Sequence, residues 1–550
     1  MTEILFDYVI VGGGSAGCVM AGRLSSDPGL SVCLLEAGGS DNSVFIRAPL
    51  GFAATAALGI NNWNYQTVPQ EGFNGRRGFQ PRGKVMGGSS SVNAMVYTRG
   101  NKRDYDNWAA LGNPGWSYQD VLPMFKRAEN NECFGADAYR GVNGPLNVCY
   151  LRSPSSLNQA FYQACEEQGI PRTPDYNGAQ QYGYAPAQVT HKGGERWNAA
   201  RAYLDTRRSN LKVFTGAHIT RVLLEGKCAV GVEFIKNGQV QRVRARKEVI
   251  LSAGAYGSPQ ILMLSGIGPA AELHKHGIEI VHELAGVGQN LQDHITTVLI
   301  YRTRRTDTTL GFSVRGAWNV IRAMIEWKNK RTGWISTNVA ESQAFISTEN
   351  NPEYPNIQLA FCVGIVDDHT RKPHLGHGYT LHVTLMRPKS RGTVRLNSAN
   401  HADAPLIDPC FFSDEDDLNV LIKGTQLGVD IMESAGLKDH RGELMYKIKR
   451  DNKQQISEFL RAHSDTEYHP VGTCKMGPAS DPMAVVDARL RVHGLENLRV
   501  VDASIMPQLI TGNTNAPVMM IAEKAVELIR EELLGNNGRQ VSQRPGQQPQ

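Results

Sequence analysis

Several features are scarce in this chain, and each scarcity excludes something. No run approaches the roughly 20 apolar residues that a membrane helix needs, so no spanning segment is expected. Met1 to Phe6 carry neither a basic region nor a long apolar stretch, so no signal peptide is expected. The nine cysteines include no C-x-x-C pair, and their odd number and scatter argue against a disulfide framework. They read as reduced, mostly buried thiols of a cytoplasmic protein. Charge of one sign is also short: a net +5 over 550 residues is too dilute to argue for nucleic acid or an acidic partner. No internal repeat and no metal-ligating cluster is found. What remains, 41% apolar and 20% charged residues, is an ordinary globular composition, and 550 residues imply two or more domains.

The densest signal lies between Asp7 and Gly38. Tyr8 to Val11 form a short continuous apolar run, as expected for a parallel strand buried on both faces. It breaks into Gly12, Gly13, Gly14, Ser15, Ala16 and Gly17, followed by a helical stretch to about Leu24, a turn over Ser25 to Gly29, and a second strand, Val32 to Leu35, ending in Glu36. This is a βαβ unit with G-x-G-x-x-G at its first turn and an acid 19 residues after the last glycine. Gly12 permits the tight turn, Gly14 lets the backbone approach a pyrophosphate, and Gly17 lets helix and strand pack closely. The helix N-terminus offers free N–H groups and a positive dipole end to phosphates, and Glu36 is placed to accept hydrogen bonds from a ribose diol. The unit implies a dinucleotide without saying which.

A second loop, Arg82 to Asn93, is dense in glycine and serine and precedes an apolar run, Ala94 to Tyr97, expected to be helical. It reads as a second backbone wrap around a polyanion. Residues 103–130 read as helix faces packing on the first domain. Four strands are expected as a β-meander: Leu211 to Phe214, Ile219 to Leu224, Ala229 to Ile235 and Gln239 to Ala245. A separate buried strand over 248–254 follows, then a helix from Gln260 to Leu264 with Pro259 at its start. From about Thr296 to Asp465 the glycine motifs stop, and a second domain is placed there, with strands over 378–386 and 392–396 and helices over 418–434 and 455–463. Ala317 to Trp327 is an amphipathic helix, expected to cover that domain, with a membrane-surface or substrate-access role as the alternative. The last helix, about Ala516 to Leu534, has Gly535 as its expected stop and is followed by a polar tail, 536–550, expected to be disordered.

Four stretches together resemble the glucose–methanol–choline (GMC) family of flavoprotein oxidoreductases: the βαβ unit ending in Leu35, Glu36, Ala37 and Gly38; Gly83 to Asn93, with Met86 where Leu, Ile or Val is more usual; Gly254 to Gly268; and the pair His469 to Thr473 and Gly512 to Pro517. The matches run from about residue 5 to 534, and the likeness is greatest to bacterial dehydrogenases of alkanols, choline or polyethers. The resemblance implies an α/β fold (α+β overall): a discontinuous Rossmann-type FAD-binding domain, 1–295 with 466–535 and some insertions near 150–210, and a mainly antiparallel-sheet substrate domain, 296–465. It implies FAD as the dinucleotide. Gly12, Gly14, Ser15, Ala16 and Gly17 would face the pyrophosphate, with Glu36 and Ala37 at the adenosine. Gly83, Met86, Gly88, Ser89, Asn93 and Met95 would run along the pyrophosphate and isoalloxazine. Ile219 would meet the adenine, and Ala253, Asp502 and Thr514 would complete the cradle. Val92 stands where some members carry a histidine bonded covalently to FAD, so the flavin is expected to be noncovalent.

Oxidising an alcohol requires a base to take the hydroxyl proton as hydride leaves carbon. The resemblance gives that role to His469, held between Pro470 and Gly472, and makes Asn513 the amide that holds the substrate oxygen. Glu341 is a weaker candidate for binding a cationic alcohol. The implied activity is oxidation of a primary alcohol to an aldehyde, with electrons passed to a quinone or other acceptor. Alternatives on the same fold are an oxidase using O2, a hydroxynitrile-lyase-type enzyme and a noncatalytic flavin protein. The expected location is cytoplasmic, with peripheral contact at the inner membrane.

Overall fold

In the computed structural model, which describes residues 4–206 and 208–542 (the backbone alone for Arg315 and 535–542), Tyr8 to Val11 are buried on both faces. Each such side chain stabilises the fold by about 1.5–3 kcal/mol, and their strand, β1 (Ile4–Val11), sits inside a seven-stranded sheet. It leads through α1 (Ser15–Leu24) to β2 (Val32–Leu35), paired parallel with Tyr8 opposite Val32 and Val11 opposite Leu35. β3 (Leu211–Phe214) adds to β2 in parallel, so it belongs to this half and not to the expected meander. The meander proper is β4 (His218–Glu225), β5 (Cys228–Lys236) and β6 (Gln239–Leu251).

β6 corrects a second expectation. The two strands read over 239–245 and 248–254 are one, antiparallel to β5 at its start and parallel to β1 at its end. Its charged middle, Arg242 to Glu248, looks like a break in sequence, but only alternate side chains need burial and the backbone ladder continues through it. The sheet order is β3-β2-β1-β6-β5-β4, and the strand Leu498–Val500 also pairs with β6. The chain therefore leaves β1 toward β2 while β6 docks on the other side, which opens a crevice at the carboxyl ends of β1 and β6. The two ends touch through backbone: a Cβ on Gly12 (φ +96°) would lie 2.5 Å from the Ser252 carbonyl oxygen.

The helix after β6, α2 (Gly254–Leu264), begins well before the expected Gln260, so Pro259 lies inside it. Proline has no N–H for the carbonyl of Ala255 one turn earlier. Thr473 Oγ1 donates to that oxygen at 2.6 Å, which docks the His469 segment onto the helix. Ala94 to Tyr97 is not helical. Met95 is left-handed (φ +61°); its carbonyl accepts from Thr190 N–H, and Tyr97 N–H donates to the Gln188 carbonyl.

The second large sheet is antiparallel among β7 (Ile295–Thr303), β8 (Ala340–Ile346), β9 (Ile357–Cys362) and β10 (Gly376–Leu385), in the order β7-β10-β9-β8. Asp465–Thr466 closes one edge and Gly183–Pro186 the other. Between β7 and β8 runs α3 (Val314–Lys330), with Ala323 and Trp327 turned inward and Val314, Trp318 and Ile325 exposed by 83%, 64% and 59%. After β10, α4 (Glu415–Met432) lies close on the sheet, where a Cβ on Gly424 would come 2.7 Å from Ile357 Cδ1. The last helix, α5 (Asn515–Ser542), runs through Gly535. One glycine costs a helix interior only about 1 kcal/mol, too little to stop a helix already anchored along its length. The end of the expected tail, 543–550, lies outside the described residues. Among the described residues no helix is long and apolar enough to cross a membrane, and all nine cysteines are unpaired.

Candidate active site

A cavity of about 360 Å³ lies against both sheets. On the first-sheet side it is lined by Gly12, Gly14, Ser15, Ala16, Glu36, Ala37, Ile219, Ala253 and Asp502, and by Gly83, Gly88, Ser89, Asn93 and Met95 of the second glycine loop. His469, Asn513 and Thr514 come from the C-terminal segments.

Backbone makes most of the first wall. Gly14 is the N-cap of α1 and supplies no side-chain cap, so the first N–H groups of the helix stay available. The two glycine loops meet back to back: Gly87 N–H donates to Gly13 O at 2.8 Å, and a Cβ on Gly88 would lie 2.6 Å from Gly14 Cα. Gly17 does not line the cavity. A Cβ there would lie 1.9 Å from Gly12 O, so its smallness sets the helix-to-strand approach. Met86 is a correction. Its side chain is buried in the first core behind Gly13, so it supports the loop without reaching the cavity.

Glu36 accepts from Gly13 N–H at 2.8 Å and Gly38 N–H at 2.7 Å, one bond per oxygen, which leaves each oxygen a lone pair for a diol. Burial pushes its carboxyl up to about 7 despite those two bonds. Asp502 takes four donors, from Gly254 N, Ser258 Oγ, Ser504 N and Ser504 Oγ, so it orders the wall and presents no free carboxylate oxygen. Ser15 Oγ donates to Asn515 Oδ1 at 2.8 Å and joins the starts of α1 and α5. A cradle that added Cβ atoms would obstruct, a helix N-terminus and a carboxylate with spare lone pairs fit an adenine dinucleotide.

His469 stands in a chain of hydrogen bonds. His294 Nε2 lies 3.0 Å from Met386 O and 3.1 Å from Ile510 O. Carbonyls only accept, so this nitrogen carries a proton. Burial, with His469 nearby, holds the His294 pKa well below the usual value, so the ring is neutral and its Nδ1 is an acceptor. His469 Nδ1, 2.9 Å away, must then donate, which leaves the lone pair of His469 on Nε2. Asn513 Nδ2 faces that lone pair at 3.1 Å. The amide is oriented by Gln358 Nε2, which donates to Asn513 Oδ1 at 3.2 Å, and by Thr98 Oγ1, which accepts from Asn513 N–H at 2.6 Å. Asp293 accepts from His469 N–H at 2.8 Å. Burial pushes the His469 pKa down to about 4, with Glu467 opposing and Arg82 and His369 assisting, so the ring is a free base at neutral pH.

Sequence reasoning missed Asp293, His294 and Gln358. The one signal was an Asp-His pair at the start of β7, where a buried strand leaves two polar side chains in need of partners. Glu341 is a second correction. It is 2% exposed and accepts from Ser155 N, Asn158 Nδ2 and Thr337 Oγ1, so its carboxylate is bonded inside the protein and does not line the cavity.

Known proteins match this architecture. GMC oxidoreductase family models match residues 6–296 and 388–522. The chain is 45% identical to the alcohol dehydrogenase (acceptor) of Pseudomonas putida over 96% of both chains. It is also 45% identical to the mitochondrial choline dehydrogenase of Homo sapiens, over 96% of this chain and 90% of that one. Among solved structures, pyridoxine 4-oxidase from Mesorbium loti superposes with a TM-score of 0.86 at 32% identity, covering 96% of this chain and 99% of that one. A formate oxidase gives 0.89 at 26% identity, over 97% and 99%. The chain belongs to the GMC oxidoreductases, a family of flavoenzymes that act on CH–OH donors.

Proposed function

We propose that this protein is an FAD-dependent dehydrogenase that oxidises a primary alcohol to an aldehyde, with His469 as base. The observation that carries the reading is the bonded series Met386 O, His294, His469, Asn513, which leaves one imidazole lone pair directed at a cavity that also reaches the glycine cradle. An alcohol hydroxyl that takes the place of the Asn513 Nδ2–His469 Nε2 bond gives its proton to Nε2, while the amide N–H holds the oxygen as it gains negative charge. When FAD is bound in the cradle, the chemistry it supplies is acceptance of hydride from the carbinol carbon. His469 Nδ1–H stays bonded to His294 throughout, so the ring cannot turn away.

Residues 1–295 with 466–535, apart from insertions near 150–210, serve as the cofactor half, and 296–465 with those insertions as the substrate half. Val92 lines the cavity and has no nucleophilic atom, which supports a noncovalent flavin. The likeness to an acceptor-linked alcohol dehydrogenase favours a quinone or similar acceptor over O2. The exposed apolar face of α3, flanked by Arg322 and Lys328, suits peripheral contact with an anionic lipid surface at the cytoplasmic face of the inner membrane. Anaerobic addition of a primary alcohol should bleach the flavin absorbance. A hydroxynitrile-lyase-type enzyme would leave it unbleached, and on reoxidation a peroxide yield matching substrate would mark an oxidase.

A further inference from the structure

One corner of the cavity is not accounted for by the cradle or by the base. It is built from His382 on β10, the turn Asp368–Thr370, and Glu467 and Tyr468 just before His469. The backbone there is unusual: Asp368, His369, Thr370 and Tyr468 have φ of +46°, +49°, +74° and +68°. These are left-handed values that non-glycine residues hold only when the surroundings impose them.

The polar atoms in this corner are incompletely bonded. His382 Nδ1 and Glu467 Oε2 face each other at 3.5 Å, beyond a good hydrogen bond, and neither has another partner. Thr370 Oγ1 and Tyr468 Oη also lack partners, and all four residues line the cavity. Buried polar groups are rarely left unbonded, and each exception asks for an explanation. Four in one corner of a substrate cavity point to a bound molecule that completes the bonding. The corner contains no glycine and stands on the second sheet, where it meets the cradle through Arg82, whose guanidinium donates to the Tyr468 carbonyl at 2.7 Å.

The charges define what kind of group fits. Burial alone would lower the His382 pKa, but the Glu467 carboxylate, together with Cys362, more than offsets this and pushes it up to about 10, so the ring is protonated and Nδ1 carries a proton at neutral pH. Burial would raise Glu467, but His382 more than offsets that and holds it at about 2. Burial keeps the neighbouring His369 neutral, with its pKa near 4. A cation in this corner would face protonated His382, and an anion would face Glu467. A neutral hydroxyl has no such conflict: its O–H donates to Glu467 Oε2 while its oxygen accepts from His382 Nδ1–H.

We propose that the Glu467–His382 corner is a subsite for a second hydroxyl of the substrate, so that hydroxyl-bearing alcohols such as α,ω-diols are preferred to plain alkanols and to cationic alcohols. This rests on the alcohol-oxidation reading above and narrows its substrate class. A buried hydrogen-bonding site discriminates strongly against an analogue that lacks the matching group, because its own polar atoms are then left unpaired.

The test compares a series of α,ω-diols with 1-alkanols of equal carbon number, and with choline, on the flavin-loaded enzyme with an artificial acceptor. The best diol should exceed its matched alkanol in kcat/KM by about 10- to 100-fold. Glu467→Leu should bring that ratio close to one. Glu467→Gln, which keeps volume and one acceptor but not the charge, should lower the ratio while retaining flavin, and it decides the matter if the leucine variant does not fold. Equal use of diols and alkanols by the wild type, preference for choline, a ratio unchanged in these variants, or loss of flavin from Glu467→Gln would each overturn the subsite. Thermal shift separates this proposal from the activity itself. If no alcohol bleaches the flavin, oxidation is refuted, yet stabilisation by the diol and not the alkanol, lost in Glu467→Gln, would still support the subsite.

Discussion

The two walls of the cavity are made differently. The wall on the first sheet is largely backbone: loop ends at Gly12 and Gly88 lie so close to other main chain that a single added carbon would collide. The opposite wall is side chains, namely His382, Glu467, His469 and Asn513, with His294 and Gln358 behind the last two to orient them. A backbone wall reads a ligand's shape and phosphate charge, whereas a side-chain wall reads its functional groups. Cofactor anchoring and substrate chemistry are therefore separable by mutation.

The largest effect should come from the backbone wall. Gly12→Val places a branched side chain on the Ser252 carbonyl at a left-handed φ, and the purified protein should contain little or no flavin by absorbance at any added FAD concentration. Next comes the base. His469→Ala should keep its flavin and lose about 10²- to 10⁴-fold in kcat. Near wild-type turnover would remove His469 from the mechanism. In the wild type, the part of the pH profile due to this group should be level through neutral pH and fall on the acid side near pH 4, where the imidazole becomes protonated and can no longer accept a proton.

A smaller loss tests the histidine that positions the base. His294→Leu removes the acceptor for His469 Nδ1–H and should lower kcat with little change in KM, by less than removal of the base itself. His294→Asn, whose amide oxygen can replace Nδ1, should recover part of the loss, an outcome that a packing role alone would not give. The smallest functional effect is expected from Glu341→Gln. It disturbs three internal hydrogen bonds and should lower the melting temperature, while the ratio of choline to alkanol turnover stays unchanged. A changed ratio would show that Glu341 senses substrate after all.

The same contrast explains what was legible in the sequence. Most glycines of the cradle could be read because their requirement is local: a turn, a positive φ or a close approach is specified within a few residues. β1, α1 and β2 followed from apolar runs and turn residues for the same reason. Boundaries failed where a distant partner replaced a missing local signal. α2 continues through Pro259 because Thr473 takes over the carbonyl that proline leaves free. β6 continues through a charged stretch because β5 and β1 pair with its two ends.

The sequence by itself determined the glycine-rich cradle, and by resemblance it pointed to His469 and Asn513 as the proposed reactive pair. Only the tertiary structure decided which nitrogen of His469 carries the free lone pair, because the deciding acceptor, His294, lies 175 residues away. It also turned Glu341 into the protein and brought Glu467 and His382 to the cavity. Side-chain chemistry depends on neighbours that chain folding supplies, whereas backbone geometry carries its requirement in the residue itself.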